Sequence, residues 1–397
     1  MPSKILFLPA GKFQNDAILY AKKMGLFTIA VDGDKNAVGS ESADKFYNID
    51  INSKFQILNI AKKYNVNAVL SICSDVSSET VSYLVEELNL HGTNMELAKN
   101  FKDKYYYYSL FDNNSIKVPY FFKPNELYNK NLYSQFHIIK PSMGSGSRGV
   151  KKVSDLKAFD FKNYSKKYLK KNEEIIVQQY VNGKEITVDG FVLNGKFHLL
   201  AYSEEKNDNI KNQNFSYELI FSPSWFNEKH KLQISKNCSK IIELIGYKNG
   251  PVHFEFILDE PDFYLIDFSM RGGGFDVFTK IIKLCSGYDI LKNYINLSLN
   301  LDVEIPSEIS YNPVTLNFIY SEKNGVVNNI KEPLIKNYLG KYYFSFLTKL
   351  NSVVKIPDSG RDRIAYFICF GDNHEENKKI KEEILKNTLI EVLNEPI

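Results

Sequence analysis

Arginine is nearly absent from this chain. Only Arg148, Arg271, Arg361 and Arg363 among its 50 basic residues are arginine; the rest are lysine. Plain surface charge is therefore written as Lys, and the arginines mark places where a planar fork is needed rather than a point charge. Excess charge is lacking too. With 47 acidic residues the net charge is +3, which excludes a strongly basic nucleic-acid binder but leaves room for a local phosphate site. The cysteines (Cys73, Cys238, Cys285, Cys369) form no CxxC pair and sit in apolar surroundings, as buried free thiols in a reducing cytosol do. The six histidines form no HExxH, so no zinc site is expected. No stretch approaches the roughly 20 apolar residues of a membrane span. The apolar run from Ile5 to Leu8 is too short for a signal peptide and leads into Pro9 and Gly11. These absences predict a cytoplasmic protein with neither nucleic acid nor membrane as partner.

What is present is a long, mixed pattern. The 397 residues suggest two or three domains at about 150 residues each, and 44% hydrophobic residues can bury several cores. Short apolar strands at Ile5–Leu8, Phe27–Val31, Phe46–Ile49 and Ala68–Ile72 alternate with helical spacing at Asp16–Met24, Ser53–Lys63 and Glu79–Leu88. Such units predict a parallel, doubly wound α/β sheet with helices on both faces. Residues 103–118 read as a helix and stop, and the Tyr105–Tyr108 run as helix packing. Short strands around glycine turns fill 136–200, and a helix covers 227–246. Val252–Leu258 and Tyr264–Phe268 form a hairpin signal through Asp259-Glu260-Pro261-Asp262. A strand-rich unit from about 311 closes with a strand at Ile364–Phe370 and a helix at Glu375–Lys386.

The first strand–turn–helix carries one glycine, Gly11, where a dinucleotide fold wants GxGxxG; nicotinamide binding is not expected despite Asp32 after the second strand. A stronger signal is Phe136-His137-Ile138-Ile139-Lys140-Pro141 followed by Ser142-Met143-Gly144-Ser145-Gly146-Ser147-Arg148-Gly149. Glycines and serines let a turn wrap closely and offer donors to phosphate oxygens. The lysine precedes the glycines and a strand follows, so this is not a Walker loop. Next, Gln178-Gln179-Tyr180-Val181-Asn182-Gly183-Lys184-Glu185 offers polar edges and a carboxylate after an apolar strand. Such groups suit an adenine and a ribose, although an ordinary hairpin reads the same way. Finally, Glu255 and Asp267 lie in adjacent strands of one hairpin. If they share a face, only a cation makes the convergence tolerable, and hard oxygen ligands suit Mg²⁺ on phosphates. Arg271 follows, ahead of Gly272-Gly273-Gly274, where a substrate can approach the backbone.

These motifs, in this order, resemble the ATP-grasp superfamily, specifically its carboxylate–amine ligases and their biotin-carboxylase-like relatives. The resemblance spans nearly the whole chain. It implies a Rossmann-like pre-ATP-grasp domain over 1–102 and an ATP-grasp α+β domain over 103–310 with a lid at about 119–181. A small C-terminal α+β domain over 311–397 completes it. By resemblance, Lys140 and Lys104 hold the ATP phosphates, and Gly144, Ser145, Gly146, Ser147, Arg148 and Gly149 form the loop over the γ-phosphate. Gln178 and Val181 take the adenine edge, Glu185 the ribose, and Glu255 and Asp267 bind Mg²⁺ or Mn²⁺. Arg271 stabilises an acyl-phosphate and the tetrahedral intermediate. Two positions depart from the family: glutamine stands at 178 for the usual Glu, and Asp267-Phe268-Ser269 replaces Glu-x-Asn.

The implied activity is an ADP-forming ligase joining a carboxylate to an amine through an acyl-phosphate, with a small-molecule carboxylate and amine as partners and dimerisation as a family habit. The segments Ala201–Lys206 and Phe221–Ser224 are similar to ligases acting on amino acids or small peptides. Asp75 and Ser77, at a parallel-strand end, are candidate substrate contacts, though helix capping explains them equally well. Gly273, Arg361 and Arg363 complete the candidates; Arg361 and Arg363 read either as a loop reaching the site or as a surface turn paired with Asp362. Rival readings are a bicarbonate-using carboxylase or carbamoyl-phosphate-type enzyme, and a catalytically weak ATP-binding module, the latter motivated by Ser269.

Overall fold

The computed structural model describes residues 2–129, 135–144, 146–210, 213–357 and 359–393. Its first sheet is parallel, in the order β3 (Lys45–Asn48), β2 (Phe27–Asp32), β1 (Lys4–Phe7), β4 (Ala68–Leu70). Period-two alternation divides its residues between two cores. Leu6, Ile29, Val31 and Val69 pack with Ile57, Leu58, Ala61 and Leu84 from the helices Lys54–Tyr64 and Ser78–Glu87. Ile5, Phe7, Ala30 and Leu70 face the other way, onto the helix Lys12–Lys23 and into a core shared with the central sheet. The chain crosses from β3 to β4 outside β1, so the loops after β1 and β4 flank a topological switch point, where such sheets bind ligands. Asp32 is spent locally: its carboxylate accepts from the amides of Ala10 (2.9 Å) and Asp34 (2.9 Å), which clamps the one-glycine turn.

The second sheet is antiparallel, in the order β5 (Phe121–Phe122), β8 (Ile175–Gln179), β6 (His137–Pro141), β7 (Lys151–Val153). It has its own small core of Phe122, Ile139, Leu156, Tyr164 and Val177. Leading into it, the helix Lys104–Asn113 is capped by Asp103, which accepts from the Tyr105 amide, and buries Tyr107, Tyr108 and Phe111.

The central sheet has eight antiparallel strands, in the order β13 (Asp262–Ser269), β12 (Gly250–Asp259), β9 (Lys184–Leu193), β10 (Lys196–Ile210), β11 (Gln213–Phe221), β14 (Val314–Tyr320), β18 (Arg363–Cys369), β16 (Tyr342–Phe346). The β12–β13 hairpin closes between Asp259 and Asp262, where the sequence places its turn. The 18-residue helix Glu228–Ile245 covers one face, started by a capping box between Asn227 and His230 and stopped by Gly246 at φ +68°. The sheet does not break near residue 311. β11 pairs with β14 and β14 with β18, so the C-terminal segment lends strands to the central sheet; β15 (Gly325–Lys331), β17 (Val353–Val354) and β19 (Leu389–Leu393) form a separate small sheet. Among the described residues no helix is long and apolar enough to cross a membrane.

Candidate active site

A cavity of about 700 Å³ opens between these layers, lined by Lys140, Gln178 and Val181 from the four-stranded antiparallel sheet and its edge, Glu185, Glu205 and Glu255 from the central sheet, and Arg363 from the C-terminal segment. Between β6 and β8 the register pairs Ile138 with Gln178 and Lys140 with Ile176, so Lys140 and Gln178 point to one face. Gln178 is 2% exposed, and its amide nitrogen has no hydrogen-bond partner among the described residues. A buried, orphaned amide at an apolar wall fits the edge of a purine. Glu185 lies across the cavity and accepts from Asn207 Nδ2 at 2.8 Å. Burial and the carboxylates of Glu205 and Glu255 push its pKa well above the usual range.

Glu255 and Asp267 are direct partners across the β12–β13 ladder, so the two carboxylates share a face, as the alternation in sequence implies. The register shifts beside them, which leaves Ile266 without an opposite number. Its carbonyl turns to Lys140 Nζ (3.0 Å) and also accepts from the Tyr108 hydroxyl. Asp267 Oδ1 accepts from Lys104 Nζ at 3.0 Å and from Tyr107 OH at 2.8 Å. Burial pushes the Asp267 carboxyl up, but Lys104 and Lys140 outweigh it and hold it below the ordinary range. The tyrosine run is thus more than helix packing, because two of its hydroxyls enter the site.

Two cross-strand carboxylates match the protein share of a Mg²⁺ site, which normally uses one or two carboxylates plus phosphate oxygens. Among the described residues no group of three His, Cys, Asp or Glu side chains could hold an ion alone. A cation at Glu255 and Asp267 would therefore take its remaining oxygens from bound phosphate or from water.

Sequence reasoning missed His253 and Asp189. His253 Nδ1 lies 2.9 Å from Asp189 Oδ1, and its Nε2 lies 3.6 Å from Glu255 Oε1. Burial alone would push the imidazole down, yet Asp189 and Glu255 hold its pKa up to about 10. The signal was His253-x-Glu255 in one strand, since residues two apart share a face.

Lys140 bonds Tyr108 OH at 2.8 Å, and burial together with Lys104 pushes its ammonium down to about 8. Polyphosphate would favour the charged form, so binding above that pH must take up a proton. Mg-ATP affinity should then fall by up to about tenfold per pH unit above roughly pH 8 and stay level below it. Calorimetry in buffers of different ionisation enthalpy reads both the affinity and the proton uptake; a flat profile from pH 7 to 10 would contradict this.

The glycine loop turns through left-handed conformations at Gly144 (φ +113°), Gly146 (φ +68°), Ser147 (φ +55°) and Gly149 (φ +73°). Ser145 lies outside the described residues. Arg148 departs from expectation. Its fork is committed to Glu173 (2.6 and 2.8 Å), the Met143 carbonyl (3.1 Å) and the Tyr168 carbonyl, so it fastens the base of the loop instead of presenting donors to phosphate.

Arg271 makes a two-pronged pair with Asp75, Nε to Oδ1 at 2.7 Å and Nη2 to Oδ2 at 2.8 Å. Burial pushes Asp75 up, and Arg271 outweighs it to hold the carboxyl below the usual range. Asp75 is thus a partner of Arg271 and not an open substrate contact. Ser77 is corrected as well: it is fully buried and bonded to Ser71 Oγ (2.7 Å) and the Leu8 carbonyl (3.2 Å), tying β1 to the loop after β4. Gly273 lines the cavity where a Cβ would stand 2.9 Å from Val277 and 3.0 Å from Asp189 Oδ1, so only glycine fits. The turn Gly360–Asp362 reaches the site. Arg361 Nε lies 3.7 Å from where a Gly146 Cβ would be, and Arg363 stacks on Phe318 with its guanidinium carbon 3.6 Å from the ring centroid.

Residues 134–278 match the family model described as an ATP-grasp domain. The chain is 23% identical over 339 residues to the formate-dependent phosphoribosylglycinamide formyltransferase of Prochlorococcus marinus (strain MIT 9515), covering 81% of this chain and 82% of that protein. A shorter stretch of 105 residues is 36% identical to the D-alanine--D-alanine ligase of Petrotoga mobilis (strain DSM 10674 / SJ95), covering 26% of this chain and 33% of that protein. Among solved structures, the L-amino acid ligase from Bacillus licheniformis superposes with a TM-score of 0.82 at 16% identity, covering 99% of both chains. Phosphoribosylglycinamide synthetase from Anaerococcus prevotii does so with a TM-score of 0.78 at 19% identity, over 99% of this chain and 100% of that one.

Proposed function

We propose that this ATP-grasp protein is an ADP-forming carboxylate–amine ligase that makes an amide through an acyl-phosphate, with an amino acid or small carboxylate as substrate. The observation that carries the reading is the convergence of Lys104, Lys140, Glu255, Asp267 and Arg271 on one cavity beneath a glycine loop. Glu255 and Asp267 would hold Mg²⁺, which supplies charge neutralisation to the phosphates. Lys140 and Lys104 stand where they can neutralise the triphosphate further, so that a substrate carboxylate attacks the γ-phosphorus in line and ADP leaves. An amine then displaces phosphate from the acyl carbon. Arg271, held flat by Asp75, keeps Nη1 toward the Gly272 carbonyl (2.8 Å) at the edge of the glycine run, beside the place where the oxyanion would develop. Water would hydrolyse the acyl-phosphate, and Gly144, Gly146 and Ser147, which line the cavity, are where its entry would be limited.

The test is phosphate and ADP release across carboxylates crossed with amines, with the amide product identified by mass. The expected result is ADP and phosphate in equal amounts, dependent on one acid and one amine together. Release driven by bicarbonate in place of an amino acid or other small carboxylate would replace this reading with the carboxylase one. Mg-ATP binding without turnover on any pair would leave a nucleotide-binding module.

A further inference from the structure

Beyond the phosphate-binding elements the cavity continues along one face of the central sheet, and the ladder fixes what lies there. Glu185 pairs with Glu205, Glu205 with Leu219, and Leu219 with Leu316. Directly paired residues share a face, and so do residues two apart, so Phe318 extends the same floor. Arg363 closes the far end. Its guanidinium lies over Phe318, with Phe275 4.5 Å away. Its Nε donates to Tyr320 OH at 3.0 Å, and that hydroxyl donates in turn to the Ser216 carbonyl at 2.8 Å. The side chain is thus fixed by stacking and by one nitrogen, while Nη1 and Nη2 make no hydrogen bond among the described residues and the side chain lines the cavity.

A flat cation held on aromatic rings with two parallel donors open to a cavity is a receptor for a carboxylate. Glu205 lies on the same floor and makes no ion pair among the described residues. Burial and Glu255 push its carboxyl up to about 7, with Arg363 pulling the other way. An apolar strip, Leu219, Leu316 and Phe318, runs between the two charges. Phe275 stands over it in a left-handed conformation (φ +50°), and its neighbour Asp276 (φ +63°) accepts from Tyr366 OH at 2.7 Å. Non-glycine residues held there cost free energy, which fits a wall whose position matters to a ligand.

We infer that Arg363 and Glu205 set the substrate specificity of this cavity by holding the head of an α-amino acid, carboxylate on Arg363 and ammonium toward Glu205, with an apolar side chain on Leu219, Leu316 and Phe318. The inference rests on the ligase reading for the place of the site but not for its test. The full-length protein, loaded with a non-hydrolysable Mg-ATP analogue, is titrated calorimetrically with leucine and phenylalanine, with their decarboxylated amines, with aspartate, and with inorganic phosphate. Leucine and phenylalanine should bind, and the amines, aspartate and phosphate should bind at least about tenfold more weakly. Arg363→Gln should weaken leucine by about ten- to a hundredfold, as loss of a charge-assisted pair does, and Glu205→Gln by about tenfold. Arg363→Lys, which keeps the charge but not the fork, should fall between wild type and Arg363→Gln. Unchanged nucleotide-analogue affinity in the Arg363 variants, and a wild-type-like urea-unfolding midpoint in Glu205→Gln, show that each variant is folded.

Equal leucine binding by wild type and Arg363→Gln, binding of phosphate in preference to amino acids, or no amino-acid binding by a wild type that binds nucleotide would each overturn the inference. Should leucine binding depend on Arg363 while no acid–amine pair yields ADP, the ligase reading fails and the amino-acid site stands.

Discussion

Arg271→Ala is expected to lower amide-forming turnover by roughly a thousandfold while Mg-ATP affinity stays within about threefold of wild type. The asymmetry follows from where the residue sits. Arg271 hydrogen-bonds Asp75 and the Gly272 carbonyl, at the glycine-run end of the cavity, whereas Lys140 and Lys104, the proposed phosphate ligands, approach from strand β6 and from the helix Lys104–Asn113. Lysine cannot restore the function, because one ammonium cannot keep two bonds to Asp75 and still serve a developing oxyanion, so Arg271→Lys should remain at least about a hundredfold slow. Removing the guanidinium also leaves the Asp75 carboxylate unpaired. With that carboxylate one-third exposed at 33%, the expected loss of stability is about 2 kcal/mol, less than for a fully buried pair. Urea unfolding measures this loss, and the double variant Arg271→Ala with Asp75→Ala should regain much of it without regaining turnover. Near-wild-type turnover in Arg271→Ala would remove Arg271 from the chemistry.

Lys140→Ala is expected to weaken Mg-ATP binding by about a hundredfold, with a smaller effect on turnover at saturating nucleotide. Lys140 is 7% exposed and tied to Tyr108 OH and the Ile266 carbonyl, so its ammonium is already placed when nucleotide arrives and little entropy is lost on binding. Its loss also leaves the acidic groups of the cavity, Glu185, Glu205, Glu255 and Asp267, with one fewer cation to offset a triphosphate. The pH dependence of affinity above about pH 8 should vanish in the same variant, which separates loss of this ammonium from general damage. Calorimetric titration with Mg-ATP reads both effects; affinity within threefold of wild type would place the phosphates elsewhere.

Much of the architecture is legible before any fold is seen. Ile5–Leu8, Phe27–Val31 and Ala68–Ile72 announce parallel strands because strands buried on both faces must be apolar at nearly every position. The pairing of Glu255 with Asp267 is legible because a tight hairpin and a period of two leave little freedom in register. Lys140 before a glycine loop is legible for the same local reason. Arg148, by contrast, looked like a phosphate ligand because it lies in that loop, while Glu173, which captures it, lies 25 residues away. Ser77 looked like a strand-end contact, but the Leu8 carbonyl that takes its hydroxyl lies just past the end of another strand, β1. His253 had one local signal, its place two residues from Glu255, but its pairing with Asp189 was silent because it spans 64 residues and two strands.

The local elements, the order of the motifs, the shared face of Glu255 and Asp267, and the sparing use of arginine can all be read without the fold. Each is fixed by short-range sterics, side-chain period and turn chemistry. What each arginine meets depends on packing: Glu173 for Arg148, Asp75 for Arg271, Phe318 and Tyr320 for Arg363. Packing also decides that the C-terminal strands continue the central sheet and carry Arg363 to the cavity. The physical reason is the same throughout. A charged side chain is stabilised by whatever counter-charge, ring or carbonyl the packed chain brings within a few ångströms, and sequence separation carries no information about that distance.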